Sequence, residues 1–341
     1  MSKKRIAYID IAKGIAIWLM IVGHMEISEL TRIYIYSFHM PLFFMMSGMF
    51  FKKERSFMES LKTSTRTLLM PYFIFSFINL SICWISPYLH PELYYEMHGK
   101  DVLIAAIKGM FIGSDQITPT SFMPLGALWF LISLFTIQVI SSALSKMIKK
   151  DVAFVFISTC ISICLFFVIK TNALFSIRST MMALPFYVWG YYLRSFNIQN
   201  IPYKDVSSIA MILYFIFIIP LNGFCTIDEC IYGKSIILFY LNAVIGTMMV
   251  LSLCSTAAQI CNCNVIESVG RRTLVILGIH AFPLTIMKVL GVVLFGNSVL
   301  SSPIFILIVS LIVMVSSYKF GVLFMNSHWP RIILRNFANF L

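Results

Sequence analysis

Ten long apolar runs decide what this chain can become. They cover roughly 6–25, 33–51, 68–86, 125–145, 152–169, 174–193, 206–221, 235–255, 272–295 and 304–325. A helix needs about 17–25 mainly apolar residues to cross a bilayer. Inside lipid, a helix satisfies its own backbone N–H and C=O groups, which an irregular chain cannot. The residues are 59% hydrophobic and only 12% charged, where an average soluble domain carries about 25% charged residues. The expected fold is an all-α integral membrane protein, a polytopic bundle of about ten transmembrane helices forming one domain over residues 1–341. No separate soluble domain, low-complexity tract or repeat interrupts it. The first run is expected to be retained, because Asp10 and Lys13 interrupt it and no small-residue cleavage site follows. Segment 102–113 is too short to span and reads as an interfacial or re-entrant piece of the longest loop, 87–124.

Basic residues orient the bundle. With ten spans, the loops fall into two sets. Eighteen of the 26 Lys and Arg fall in the set that includes the two termini, and six in the other: Arg32, Lys100, Lys108, Lys170, Arg178 and Lys234. Cytoplasmic loops carry the excess of Lys and Arg, so both termini are expected in the cytoplasm. The net charge of +12 then mostly faces anionic lipid and does not argue for nucleic acid.

Cysteine adds little. Cys83, Cys160, Cys164 and Cys254 lie in apolar runs, where Cys acts as a small hydrophobe. Cys261 and Cys263 form a single pair without His or further Cys nearby, a poor metal site, and no metal is expected. Cys225 and Cys230 bracket Thr226–Glu229 in an outward loop. An oxidising face there permits either a small disulfide or two thiols.

The chemistry concentrates between Ile6 and Gly48. Asp10, Lys13, His24 and His39 are set into two apolar runs, and ionisable groups at membrane depth are expensive and usually functional. Lys13 and His24 are eleven residues apart, about 1100° of helix, so they share one face roughly 16 Å apart along the axis. Asp10 lies one turn before Lys13 and can pair with it. His39 sits two turns into the second helix, near the level of His24, and Pro41 after it breaks the hydrogen-bond ladder where a polar pocket is tolerated. The plainer alternatives are an interfacial histidine bonded to a carbonyl for His24 and a packing histidine for His39. His280 is a third imidazole inside an apolar run, whereas His90, His98 and His328 read as loop or interface residues.

These residues carry a resemblance. Lys13 through His24 is similar to the basic residue, ten residues, His motif of the membrane-bound acyltransferase-3 family. D-x-x-K-G-I at Asp10–Ile15, V-G-H at Val22–His24 and S-F-H-M-P-L-F-F-x-x-S-G at Ser37–Gly48 resemble its fucose 4-O-acetylase-like branch. Arg66–Tyr72, Leu128–Leu131, Pro185–Tyr191 and Gly270–His280 continue the resemblance in order along nearly the whole chain. Many members have Arg where Lys13 stands, so a role that needs a bidentate guanidinium is not carried over.

The resemblance implies acetyl transfer from cytoplasmic acetyl-CoA, as co-substrate, to a sugar hydroxyl of an envelope or exported glycan, from the inner membrane of a bacterial-type cell. No permanently bound cofactor is implied. Lys13, Lys62 and Arg66 are the expected phosphate holders, acting as point charges. His24 is the expected general base or acetyl carrier, with His39 orienting acceptor or thioester. Trp129, Tyr187 and Trp189 are expected either to face the sugar or to form an interfacial belt. Arg178 is a further acceptor-side candidate. The competing class is a multi-span exporter or translocase of a lipid-linked sugar. Transporters often show two similar halves with broken helices at midspan, and no such pairing is visible here.

Overall fold

A computed structural model describes residues 6–89, 100–113, 126–171, 174–195 and 206–326. His90, His98 and His328 lie outside the described residues, as does much of the longest loop. The described residues are helical, with one isolated antiparallel bridge between Thr226 and Ile231. In chain order the helices are α1 (Ala7–Gly23), α2 (Glu29–Met49), α3 (Phe57–Ser64), α4 (Met70–Leu89), α5 (Lys100–Ile112), α6 (Trp129–Met147), α7 (Asp151–Val168), α8 (Ile177–Leu193), α9 (Val206–Phe217), α10 (Ile236–Ile260), α11 (Asn264–Gly270), α12 (Thr273–Ile279), α13 (Ala281–Phe295) and α14 (Pro303–Asn326).

Each of the ten apolar runs is occupied by a helix or, for 272–295, by the bent pair α12 and α13. Four of the described helices are long and apolar enough to cross a membrane: α6, α7, α10 and the Pro303–Leu323 part of α14. The α12–α13 pair, bent by 49°, is a fifth if taken as one span. The first run is shorter than expected, since α1 has 17 residues and contains Asp10 and Lys13. Segment 102–113 is a short helix, α5, held through the Met110 carbonyl, which accepts from the Tyr72 hydroxyl at 2.6 Å.

Helix α1 is the axis of the assembly. It packs against α2, α10, α11 and α14, and it is apolar on nearly every face, the pattern of a helix enclosed by others. Trp18 Nε1 donates to Ser310 Oγ on α14 at 3.1 Å. Close crossings between helices need small residues. A Cβ on Gly48 of α2 would overlap the Tyr187 carbonyl of α8, and one on Gly190 of α8 would overlap the Met45 carbonyl of α2. Likewise a Cβ on Gly270 of α11 would meet the Asp10 carbonyl.

Two prolines interrupt the hydrogen-bond ladders of α2 and α4. Pro41 inside α2 withholds the N–H that would reach the Ser37 carbonyl. Pro71 follows a π-helical turn, Thr65–Leu69, in which the Met70 N–H bonds the Thr65 carbonyl five residues back. Pro71 cannot donate, so the wider turn absorbs the lost bond where α3 passes into α4. Such π turns recur at functional sites.

Candidate active site

Three imidazoles gather at the His24 end of α1. His24 is the C-cap of α1, His39 is on α2, and His280 stands at the break between α12 and α13. The break has a local cause: Pro283 withholds its N–H from the Ile279 carbonyl. The His24 and His280 rings meet edge to face with centroids 5.3 Å apart. His39 is edge-on to Tyr36 at 5.0 Å, and the Tyr36 hydroxyl donates to the Gly23 carbonyl at 3.2 Å. Tyr36 thus ties His39 to the turn that carries His24. His39 and His280 are buried, and His24 is half-buried.

Each ring is fixed through the same nitrogen. His24 Nδ1 lies 2.7 Å from the Met20 carbonyl, His39 Nδ1 2.8 Å from Ile35 O, and His280 Nδ1 2.9 Å from Leu277 O. A carbonyl only accepts, so Nδ1 carries the hydrogen and Nε2 keeps its lone pair in the neutral ring. Such a backbone bond sets tautomer and orientation together. His39 takes its partner from Ile35, one turn back, and not from the carbonyl that Pro41 frees.

Two neighbours of His24 escaped the sequence reading. Lys288 Nζ on α13 donates to the His24 carbonyl at 2.7 Å. The rule that singled out Lys13, an ionisable group within an apolar run, applies equally to Lys288. The second is the 224–231 loop, folded inward with Cys225, Thr226, Ile227 and Cys230 buried. Phe224 tilts against Tyr36 at 5.4 Å. Asp228 accepts from the Thr226 hydroxyl, and its own carbonyl accepts from Ser179 Oγ at 2.9 Å. Burial pushes the Asp228 carboxyl up, against the pull of the Thr226 hydroxyl. Cys225 and Cys230, left open between disulfide and thiols by the sequence, are thiols.

A cavity lies at the other end of α1. It encloses about 820 Å³ including its mouth, and its walls include Lys13, Phe43, Ser47, Phe50, Thr67 and Leu277. Lys13 is buried, with Nζ 5.5 Å from the centroid of the Phe50 ring. Leu277 both lines this cavity and accepts from His280 Nδ1, so one helical turn separates the cavity from the imidazole pair. A smaller space of about 390 Å³ shares Ser47, Phe50 and Gln138 with the first, and Lys52, Arg55, Ser60 and Thr63 line it. The two together make an apolar cleft with a basic, hydroxyl-rich end.

The other sequence-nominated residues fall as follows. Asp10 pairs with Arg271 across the α1–α11 contact, Nε to Oδ2 at 3.4 Å, a long-range partner that helix spacing could not reveal. Lys62 and Arg66 are exposed and line neither space. Trp129 and Tyr187 are core residues, beside Phe44 at 6.2 Å and Phe51 at 5.7 Å. Trp189 Nε1 donates to Thr159 Oγ1 at 3.0 Å. Arg178 starts α8 beside Ser179, the residue that holds the Asp228 loop. Its guanidinium lies 4.9 Å from the Phe166 ring centroid, and its buried Nε has no hydrogen-bond partner among the described residues.

The arrangement defines a helical protein of membrane type whose imidazoles stand one turn beyond a cavity with a basic end. The family model described as Acyltransferase domain, that of acyltransferase-3, matches residues 6–320. The chain belongs to that family and is a membrane acyltransferase. No curated protein and no solved structure matches it.

Proposed function

We propose that the protein is an O-acetyltransferase of the fucose 4-O-acetylase-like branch. On this reading it moves an acetyl group from cytoplasmic acetyl-CoA to a sugar hydroxyl of a cell-surface or exported polysaccharide or glycolipid. It works as a ten-span protein of the bacterial inner membrane with both termini cytoplasmic. The observation that carries the reading is the shared turn: Leu277 walls the cavity and also holds His280, whose ring meets His24.

Acetyl-CoA combines phosphates with a slim, mainly apolar arm, which matches a basic end continued by an apolar cleft. Lys52, Arg55 and Lys13 hold phosphates as point charges or forks. Lys62 and Arg66, exposed at the same end, draw the anionic donor in. His24 Nε2 takes the proton of the acceptor hydroxyl while its oxygen attacks the thioester carbonyl. The C–S bond then breaks, and the imidazolium returns the proton to the departing thiolate. The alternative in which His24 itself takes the acetyl group uses the same nitrogen. His280 and His39 orient His24 and the acceptor. Arg178 serves the acceptor, while Trp129, Tyr187 and Trp189 give the site its rigid surround.

Purified protein in detergent, given acetyl-CoA labelled in the acetyl group and glycan, is expected to leave label on the glycan. Glycan flux across liposomes with no labelled product would assign the chain to transport instead. Lys13→Ala is expected to raise the acetyl-CoA KM about tenfold or more, the worth of one charge-assisted contact. Lys13→Arg is expected to keep a substantial part of donor affinity. Normal donor affinity and turnover in Lys13→Ala would make Lys13 a structural residue of α1.

A further inference from the structure

The turn after α2 is held by more than its own backbone. Lys53 is only 9% exposed. Its Nζ donates to the Lys149 carbonyl at 2.6 Å and to Asp151 Oδ1 at 2.7 Å, and lies 5.2 Å from the Phe154 ring centroid. The same Asp151 oxygen accepts from the Tyr191 hydroxyl at 3.0 Å. Backbone groups of the turn are taken as well. The Lys53 carbonyl accepts from Lys146 Nζ at 3.1 Å, and the Phe51 carbonyl accepts from Arg194 Nη1 at 3.2 Å. Phe51 is wedged among Phe154, Tyr187 and Tyr191.

Lys53 is therefore turned into the bundle, while its neighbours Lys52 and Arg55, the two basic residues of the smaller space, line that space, as does Phe51. Lys53 is covered while its partner Asp151 stays exposed, its side chain 58% accessible, so the pair sits at the edge of the bundle, where the two hydrogen bonds from Nζ fix the direction in which Lys53 points. The pair thus sets which side of the turn faces the cavity.

We infer that Lys53, Asp151 and Tyr191 form a latch that positions Lys52 and Arg55 for the phosphates of the donor. The inference rests on the donor reading above. The latch residues touch no part of the donor; they act through the turn.

The test compares two donors on the full-length protein in detergent: acetyl-CoA, and acetyl-pantetheine, which keeps the thioester arm and lacks every phosphate. Asp151→Asn, Lys53→Met and the milder Tyr191→Phe are expected to lower kcat/KM for acetyl-CoA, about tenfold for the first two, through KM. Their kcat and their use of acetyl-pantetheine are expected to stay at the wild-type level. Lys53→Arg, which keeps the cation and its donors, is expected to restore donor affinity. Equal losses with both donors would reduce the latch to general scaffolding and overturn the inference. So would an unchanged acetyl-CoA KM in all the latch variants. The double variant Lys52→Ala with Arg55→Ala separates the two layers. If it raises the acetyl-CoA KM while the latch variants do not, only the latch falls. If it leaves that KM unchanged, the donor reading falls and the latch with it.

Discussion

Replacing His24 by alanine is expected to cut acetyl transfer about 10²–10⁴-fold, the usual contribution of a general base, while protein level and insertion stay normal. The loss follows from the geometry of one nitrogen. Nδ1 is committed to the Met20 carbonyl at 2.7 Å, so Nε2 is the basic site, and alanine removes it. On the ten-span reading insertion should not suffer, because the change takes a polar group out of a helix end set near the membrane surface. The helix end also keeps other ties, including Lys288 on the His24 carbonyl and Tyr36 on the Gly23 carbonyl. Gln separates chemistry from structure, since it can still donate and accept but cannot relay a proton at neutral pH. The assay is acetylation of cell-surface glycan in a strain lacking the native gene, with protein level checked by blot. Near-normal acetylation by His24→Gln at normal expression would leave His24 as a mere helix tie, and would move the base to His280 or His39.

The second large effect concerns assembly. Gly48→Ala is expected to remove most folded protein from the membrane fraction, or to lower its thermal midpoint sharply in detergent. The new methyl group would overlap the Tyr187 carbonyl, a backbone atom that no side-chain rotation can move aside. Overpacking costs about 1–3 kcal/mol or more when the core cannot relax. Here α2 would have to lift off α8, and with it would move His39, Ser47, Phe50 and the latched turn. Gly321→Ala is the control. Its nearest contact is Val275 Cγ1 at 3.2 Å, a side chain that can yield, and near-normal levels are expected. Wild-type stability in Gly48→Ala would mean that the α2–α8 crossing is looser than its geometry implies.

Much of the fold was legible because apolar length is a local signal. All ten runs carry helix, Gly48 falls where two helices cross and Pro283 follows a helix break. Crossing a bilayer is a statement about length as well as pattern, and there the described helices divide. α10 and α14 are long, while α1 carries its charges over only 17 residues. The site was half legible for the same reason. Lys13, His24 and His39 stood out as costly groups in apolar surroundings. Their partners could not, because pairings such as Asp10 with Arg271 and His24 with His280 join residues more than 250 positions apart. Lys62 and Arg66 were expected to hold phosphates because they stand at the start of the third apolar run, on the same side as Lys13. The π turn before Pro71 and the cap at Ser56 set α3 apart from α4, and both side chains face outward. Lys52 and Arg55 were counted only as loop charges, since nothing local says which side of a turn meets a cavity.

The single turn from Leu277 to His280 also bears on the energy economy of a cell. A catalyst that worked on both faces of a membrane through an open conduit would bleed the ion gradient that the membrane stores. Here the cavity wall ends at Leu277, and the imidazoles begin one turn later. On the reading proposed, the nucleotide stays on its own side, the glycan stays on the other, and a two-carbon fragment alone changes sides. The modification can then run continuously without short-circuiting the gradient.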